Sequence, residues 1–496
     1  MPRVPKTVLL AGLTATVLAL SVAFGALGAV PHVQDEIIYT LQARLFAGGL
    51  RMGPGVETAG LIQYPFWVST PTSYGVFPIG WPLLLALGEL LGRGSWVNPL
   101  LVAGLPLVCW GLARELADAR TAVLAAWVAA LSPGIVVLAG SRMAHTSTTL
   151  ALAVAALVVL RRQDRPLAWL GAGLAVAYVV MARPFDALVL GGPLLVLGGL
   201  RSASWRSRAA LWTPALVAAG LTAWDNQTIT GSWSTFVVGP WFDSWHPDPT
   251  RPAGCNALGF GDDRGCHRTL GTWGHDPAKA AVLAGQALVR LDRLLLGWPG
   301  GSALAVLGLW RLGRKASWTW AWCGLVVLAY ALYWSPGPSY GARFYHPLYP
   351  VLVLWLAAGL RGLPRWAWGA AALVPLCAAP GLWAELSDRY WCVDHRLAVE
   401  ARELGLSNAV VLVSASGSRS AAWPALGTPE FRCDPLMAFG EAFLLEDPTG
   451  QGLRIRHGPA APERHQDQLR ALWPDRPMWH LDQDVAHGTH RWQQLP

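Results

Sequence analysis

Apolar runs long enough to cross a bilayer recur along most of this chain, and they constrain its fold more than any motif does. The first extends without a charged residue from Thr7 to Val30; others lie near 77–92, 96–113, 121–140, 146–160, 166–182, 186–200 and 209–224. A second group follows near 294–310, 318–334, 347–360 and 365–384. A membrane helix needs about 20 apolar residues, so the pattern predicts an α-helical polytopic membrane protein of about 11–13 transmembrane helices. Charged residues make up only 14% of the 496, against about 25% in soluble proteins. Most of this chain belongs in lipid.

The net charge of +8 would suit a nucleic-acid partner if the basic residues formed a patch. Instead they cluster between apolar runs, at Arg161–Arg165, Arg201–Arg208, Arg311–Lys315 and Arg361–Arg365. Such linkers stay on the cytoplasmic side, so nucleic-acid binding is a poor reading. Met1–Lys6 followed by so long an apolar run reads as an uncleaved first span rather than a signal peptide, whose core is about 7–15 residues. Residues 31–76, 225–293 and 335–346 and everything after 385 are then external. The predicted organisation is a membrane domain over 1–384 and a C-terminal extracytoplasmic α/β domain over 385–496, in which Ala409–Val413 reads as a buried strand. One conflict stands: if Asp35 is outside and Arg114–Arg120 inside, residues 77–113 cross an odd number of times. They nevertheless read as two short spans broken at Gly92–Gly94.

Asp35 and Glu36 are adjacent carboxylates just beyond the first apolar run. Ionisable groups at the mouth of a span are costly to keep near hydrocarbon and are site candidates by default, although they could also cap the short helix that follows. Ala43–Ala47 suggests that this helix is interfacial, and the aromatics of Tyr64–Tyr74 suit the headgroup level. Cys255 with Cys266 and Cys392 with Cys433 share external regions and offer two disulfides; Cys109, Cys323 and Cys377 lie in apolar runs. Trp233, Trp241, Trp245 and Trp273 are the only tryptophans, of 28, placed to serve as sugar platforms, with ordinary loop packing favoured; Trp298 and most others sit at span ends. Asp225, Asp243, His246, Asp262, Asp263, His275 and Asp276 could in principle join Asp35 around a divalent cation, and Cys266 with His267 could suggest a metal. No ligand spacing demands either, so the expectation is no cofactor.

Asp35-Glu36 with Tyr39 and Gln42, the proline-containing opening Phe77–Gly88, Gly140–Thr146 and Tyr340–Pro347 together resemble the GT-C superfamily of membrane glycosyltransferases. The resemblance is greatest to the protein O-mannosyltransferase and aminoarabinose-transferase type, including the RgtA/B/C/D-like bacterial group, and covers roughly residues 7–384. It implies transfer of a sugar from a polyprenyl-phosphate-linked donor to a glycan, lipid or protein acceptor at the external face of a bacterial inner membrane. Some members of the superfamily use a divalent cation. Asp35 matches the catalytic carboxylate and Glu36 its positioning partner. Arg343, flanked by Tyr340 and Tyr345, is the first candidate for the donor phosphate, since guanidinium forks match phosphate oxygens. Arg142 and Arg183 are further candidates, and His145, Tyr39 and Gln42 would line the cavity. The rival reading, a secondary transporter or lipid flippase, would share the composition; but no internal repeat is evident, and the ionisable residues collect at one face.

Overall fold

The computed structural model describes residues 3–55, 64–69, 71–161, 165–244, 250–252, 254–266, 268, 270–297, 300–335, 337–393, 395–457 and 463–496. Arg162, Trp245, His246, His267 and Trp298 lie outside the described residues. Each apolar run is helical where the pattern places it. Four helical stretches are long and apolar enough to cross a membrane alone: Lys6–Ala26, Gly94–Leu116, Pro184–Arg201 and Arg365–Cys392. Ala119–Leu131 and Pro133–Gly140 reach that length only together, as a pair bent by 48°. The bend follows from Pro133, which holds Ser132 in an extended conformation and lacks the N–H that would continue the ladder. Shorter apolar helices, among them His145–Arg161, Pro166–Ala182, Gly301–Leu312 and Ser317–Ala331, complete the bundle. Among the described residues, fewer helices reach span length unaided than the hydropathy pattern suggests, because Gly and Pro interrupt several runs.

Helices Gly301–Leu312 and Tyr349–Arg361 show what the small residues do. A Cβ on Gly308 would stand 1.7 Å from the Trp355 carbonyl oxygen, and one on Gly359 would stand 2.1 Å from that of Leu304. The two backbones touch through glycine, the packing that lipid-embedded helices favour.

The parity conflict centres on α3 (Gly80–Leu90), preceded by α1 (Lys6–Ser21) and α2 (Gln34–Ala47). Its 11 residues rise only about 16 Å, half a hydrocarbon core. After the turn at Gly92, where φ is +62°, Gly94–Leu116 is long and apolar enough for a full crossing. Residues 77–116 thus contain one helical stretch of span length, Gly94–Leu116, preceded by the shorter α3.

Outside the bundle, two expectations change. Ala43–Ala47 is the last turn of α2, which is buried along most of its length rather than lying in the interface. Tyr64 and Trp67 pack against Phe443, with Tyr64 also meeting Phe439, under the C-terminal domain rather than at the headgroups. The region expected as one long loop contains a 20-residue helix, Pro277–Leu296, started by the Asp276 side chain accepting from Lys279 N–H and ended by Gly297 in the left-handed conformation.

The C-terminal region folds as a four-stranded sheet in the order Arg454–His457, Val410–Ser416, Met478–Asp484, Thr489–Gln494. The first three strands are parallel and the last is antiparallel. Val411, Val413, Ile455 and Leu481 form one core with Phe439, Phe443 and the Ile37, Ile38, Leu41 and Leu45 face of α2; Val410, Leu412 and Met478 meet Leu469 in a second. Alternation along the strands therefore buries both faces, and one of them grips α2. Both disulfides, Cys255–Cys266 and Cys392–Cys433, are present.

Candidate active site

α1 runs on into a π-helical turn, Val22–Ala26, and the chain then turns through Pro31–Val33 to start α2. Glu36 governs that start. Its Oε2 accepts from the N–H groups of His32 (3.1 Å) and Val33 (3.0 Å) and from the Tyr340 hydroxyl (2.8 Å). Its Oε1 accepts from Arg142 N–H (2.5 Å). A carboxylate 1% exposed and bonded four times is a structural pin: it caps α2 and ties two distant loops to it.

Asp35, one residue earlier, points elsewhere. Its Oδ2 accepts from Arg343 Nη1 at 2.9 Å, with side-chain exposures of 17% and 10%. Neither Asp35 Oδ1 nor Arg343 Nη2 has a hydrogen-bond partner among the described residues, and neither is sealed from water, whereas Arg343 Nε is both buried and unpartnered. A carboxylate oxygen and a guanidinium arm thus stand side by side, open to a ligand. The rest of the guanidinium is held over the Phe344 ring, 5.0 Å from its centroid.

Behind this pair lies a second cation. Arg183 breaks the helix at the end of Pro166–Ala182, and Pro184–Asp186 leads into another π-helical turn, Ala187–Gly191; such turns recur where side chains must be re-aimed. Arg183 donates to Asp186 (2.5 Å) and the Tyr330 hydroxyl (2.8 Å), and Tyr330 in turn donates to Asp186 (2.5 Å). The remaining arm donates to His145 Nε2 (2.7 Å), which assigns the imidazole proton to Nδ1, a buried atom with no partner. His346 bonds Thr149 through Nδ1 (2.8 Å), and its Nε2 is likewise buried and unpartnered. Arg183, Arg343 and His145 gather around one ring, that of Phe344, at 5.8, 5.0 and 6.0 Å from its centroid. Such a concentration of donors with open valences suits an anion.

The other expected residues fall into two groups. Tyr39 is at the pair: its ring packs on Phe77 at 4.8 Å, and burial, then the Asp35 carboxylate, push its phenol up so that it stays a neutral hydroxyl. Arg142, Tyr340, Gln42 and Tyr345 form the frame. Arg142 donates through Nη1 and Nη2 to Thr40, Glu89, Ser95 and the Ala29 carbonyl, and its Nε is buried without a partner. Tyr340 turns its hydroxyl to Glu36, Gln42 bonds the carbonyls of Gly75 and Phe77, and Tyr345 packs beside Tyr330. Trp241 is buried against Phe66 and Phe242, while Trp233 is exposed. Asp225 is held by both nitrogens of an Arg51 fork. Among the described residues no three His, Cys, Asp or Glu side chains converge as a metal site would require.

Asp186, Tyr330 and His346 escaped the sequence reading. The signal was present for Asp186, a lone carboxylate opening an apolar run three residues after an arginine.

The chain matches no protein-family model and none of the curated proteins. Two solved structures of ArnT from Cupriavidus metallidurans, in the apo state and bound to undecaprenyl phosphate, are each similar to it with a TM-score of 0.51 at 15% identity, covering 96% of this chain and 92% of theirs. The archaeal oligosaccharyltransferase AglB from Archaeoglobus fulgidus, in complex with an inhibitory peptide and a dolichol-phosphate, aligns over 96% of this chain and 69% of its own at 12% identity and a TM-score of 0.47. This multi-pass membrane protein has the GT-C fold.

Proposed function

We propose that this protein is a glycosyltransferase of a bacterial inner membrane that moves a sugar from a polyprenyl-phosphate-linked donor to an acceptor at the external face. The observation that carries the reading is the Asp35–Arg343 pair, a carboxylate and a guanidinium 2.9 Å apart, each keeping one open atom. The ArnT structure whose fold this chain shares contains undecaprenyl phosphate, and a lipid phosphate is what Arg343 Nη2 and the Nδ1–H of His145 are equipped to meet, with the fully bonded Arg183 adding positive charge behind them.

The chemistry follows from that arrangement. An acceptor hydroxyl or amine attacks the anomeric carbon, the bond from that carbon to the phosphate oxygen breaks, and polyprenyl phosphate leaves with the bonding electrons. Asp35 takes the acceptor's proton through its free oxygen, while the cations stabilise the charge that develops on the departing phosphate. Glu36, Tyr340, Arg142 and Gln42 hold the frame, and Tyr39 offers a neutral hydroxyl beside Asp35. Asp35 faces a guanidinium and Asp225 is chelated by another, so the residues present do not fit a divalent cation. We expect EDTA treatment to leave turnover within about twofold, a difference too small to represent a lost Lewis acid.

The test is mass spectrometry of surface glycans from a strain lacking the gene. Loss of one sugar names donor and acceptor together. An unchanged glycan profile with altered distribution of a polyprenyl-linked lipid across the membrane would instead support transport and overturn this reading.

A further inference from the structure

Between the end of the last span and the C-terminal sheet lies a short segment that no part of the proposed chemistry uses. Tyr390 is 0% exposed and touches both catalytic loops at once. Its carbonyl meets His32 Nδ1 at 2.7 Å, three residues before Asp35. Its phenolic oxygen accepts the Tyr340 N–H at 2.6 Å, three residues before Arg343. Glu36 closes the circuit on the far side, bonded to His32 N–H and to the Tyr340 hydroxyl. Four residues from three separate segments form one buried hydrogen-bonded ring, and the proposed base and phosphate ligand hang from opposite sides of it.

The ring holds a conformation that the chain would not keep unaided. Tyr340 has φ of +54°, and in the Tyr390 segment Arg389, Trp391 and Cys392 also have positive φ. Side chains bearing a Cβ occupy that region only where the surroundings over-determine them. Here the determinants are the Cys392–Cys433 disulfide, the packing of Trp391 on Phe431 (4.2 Å between centroids) and of Tyr390 on Trp423 (5.0 Å), and the bond from the Thr428 hydroxyl to the Pro338 carbonyl. All of these lead into the hairpin Arg419–Trp423 and Thr428–Cys433.

We infer that Tyr390 is a positioning residue that sets the Asp35–Arg343 geometry, and that through it the C-terminal domain completes the active site. The inference rests on the transfer reading above. Removing the phenolic oxygen leaves a buried Tyr340 N–H unsatisfied and frees a strained loop to relax, which moves Arg343 relative to Asp35.

The experiment uses the full chain in lipid nanodiscs, with the donor identified from the glycan comparison and undecaprenyl phosphate as binding probe. Tyr390→Phe keeps the ring packing and the carbonyl bond to His32. It should lower kcat about tenfold, because Arg343 shifts relative to Asp35, with a melting temperature a few degrees lower for the unsatisfied N–H and undecaprenyl phosphate affinity weakened by no more than a few-fold. Tyr340→Phe opens the same ring at the Glu36 side, so the double variant should be scarcely worse than the poorer single one, whereas independent structural roles would multiply. If Tyr390→Phe does not accumulate, the paired Cys392→Ser, Cys433→Ser variant serves, with the same expected kcat loss. Wild-type kcat in either variant, with Asp35→Asn inactive in the same assay, overturns the inference and leaves the transfer reading intact. Activity in Asp35→Asn would overturn the transfer reading instead.

Discussion

Replacing Asp35 with Asn separates chemistry from binding at this site. The change keeps shape and leaves an amide oxygen 2.9 Å from Arg343 Nη1, but removes the charge and the ability to accept a proton. A general base contributes about 10²–10⁴ in rate, which is about 3–5 kcal/mol at 1.36 kcal/mol per decade. The structural cost is smaller. Both side chains are mostly withdrawn from water, at 17% and 10% exposure, so Arg343 loses a charged partner, but it keeps the Phe344 face and a neutral acceptor; about 1 kcal/mol of stability is at stake. Donor affinity should move the other way. A lipid phosphate competes with Asp35 for the guanidinium, so neutralising the competitor should leave the Kd for undecaprenyl phosphate unchanged or a few-fold tighter. The assay compares turnover, undecaprenyl phosphate binding and melting temperature of wild type and variant in nanodiscs. Turnover within about tenfold of wild type would remove Asp35 from the proton transfer. Turnover and lipid binding lost in equal proportion would refute the reasoning differently, by showing that the carboxylate only holds Arg343 in place.

Arg343→Ala should weaken undecaprenyl phosphate binding about 10–100-fold, the worth of one or two charge-assisted hydrogen bonds, with Arg343→Lys intermediate because it keeps the charge and loses the fork; titration of the lipid into nanodiscs measures it. Gly308→Ala places a methyl 1.7 Å from the Trp355 carbonyl and should destabilise the bundle by about 3 kcal/mol, read as a lower midpoint of unfolding in detergent; an unchanged midpoint would mean that the helices separate freely. In the C-terminal domain, burial lowers His480 below its ordinary 6.5 despite the neighbouring Asp482. The unfolded chain then takes up the proton first as pH falls, so stability is fully present above 6.5 and declines below it. Melting temperatures at pH 7.5 and 5.5 should differ less in His480→Gln than in the wild type.

How much of this was legible beforehand depends on the range of the interaction. Helix positions follow from hydropathy, which acts over one helix at a time, and apolar runs such as 166–182 and 365–384 lie where the pattern puts them. The helix Pro277–Leu296 was missed because it is amphipathic: its buried Ala280, Ala287 and Leu291 alternate with polar residues such as Lys279, Gln286 and Arg290, which dilute any window average. The site was legible only in part. Asp35 and Arg343 are 308 residues apart, and nothing local pairs them; a resemblance of motifs put both forward, and folding brings them together. Arg142 and Tyr340, put forward beside Arg343, have partners that a sequence does not record. Glu89 and Ser95, which hold Arg142, look like ordinary span-end residues until packing sets them against it. The Tyr390 ring was the least accessible of all. It needs His32, Glu36, Tyr340 and Tyr390 at once, from three segments and two domains, and although Glu36 and Tyr340 stand out in the sequence, nothing local ties them to His32 or Tyr390. Long-range polar circuits of this kind are visible only in three dimensions, and here one of them determines whether a base and a phosphate ligand stand at the right distance.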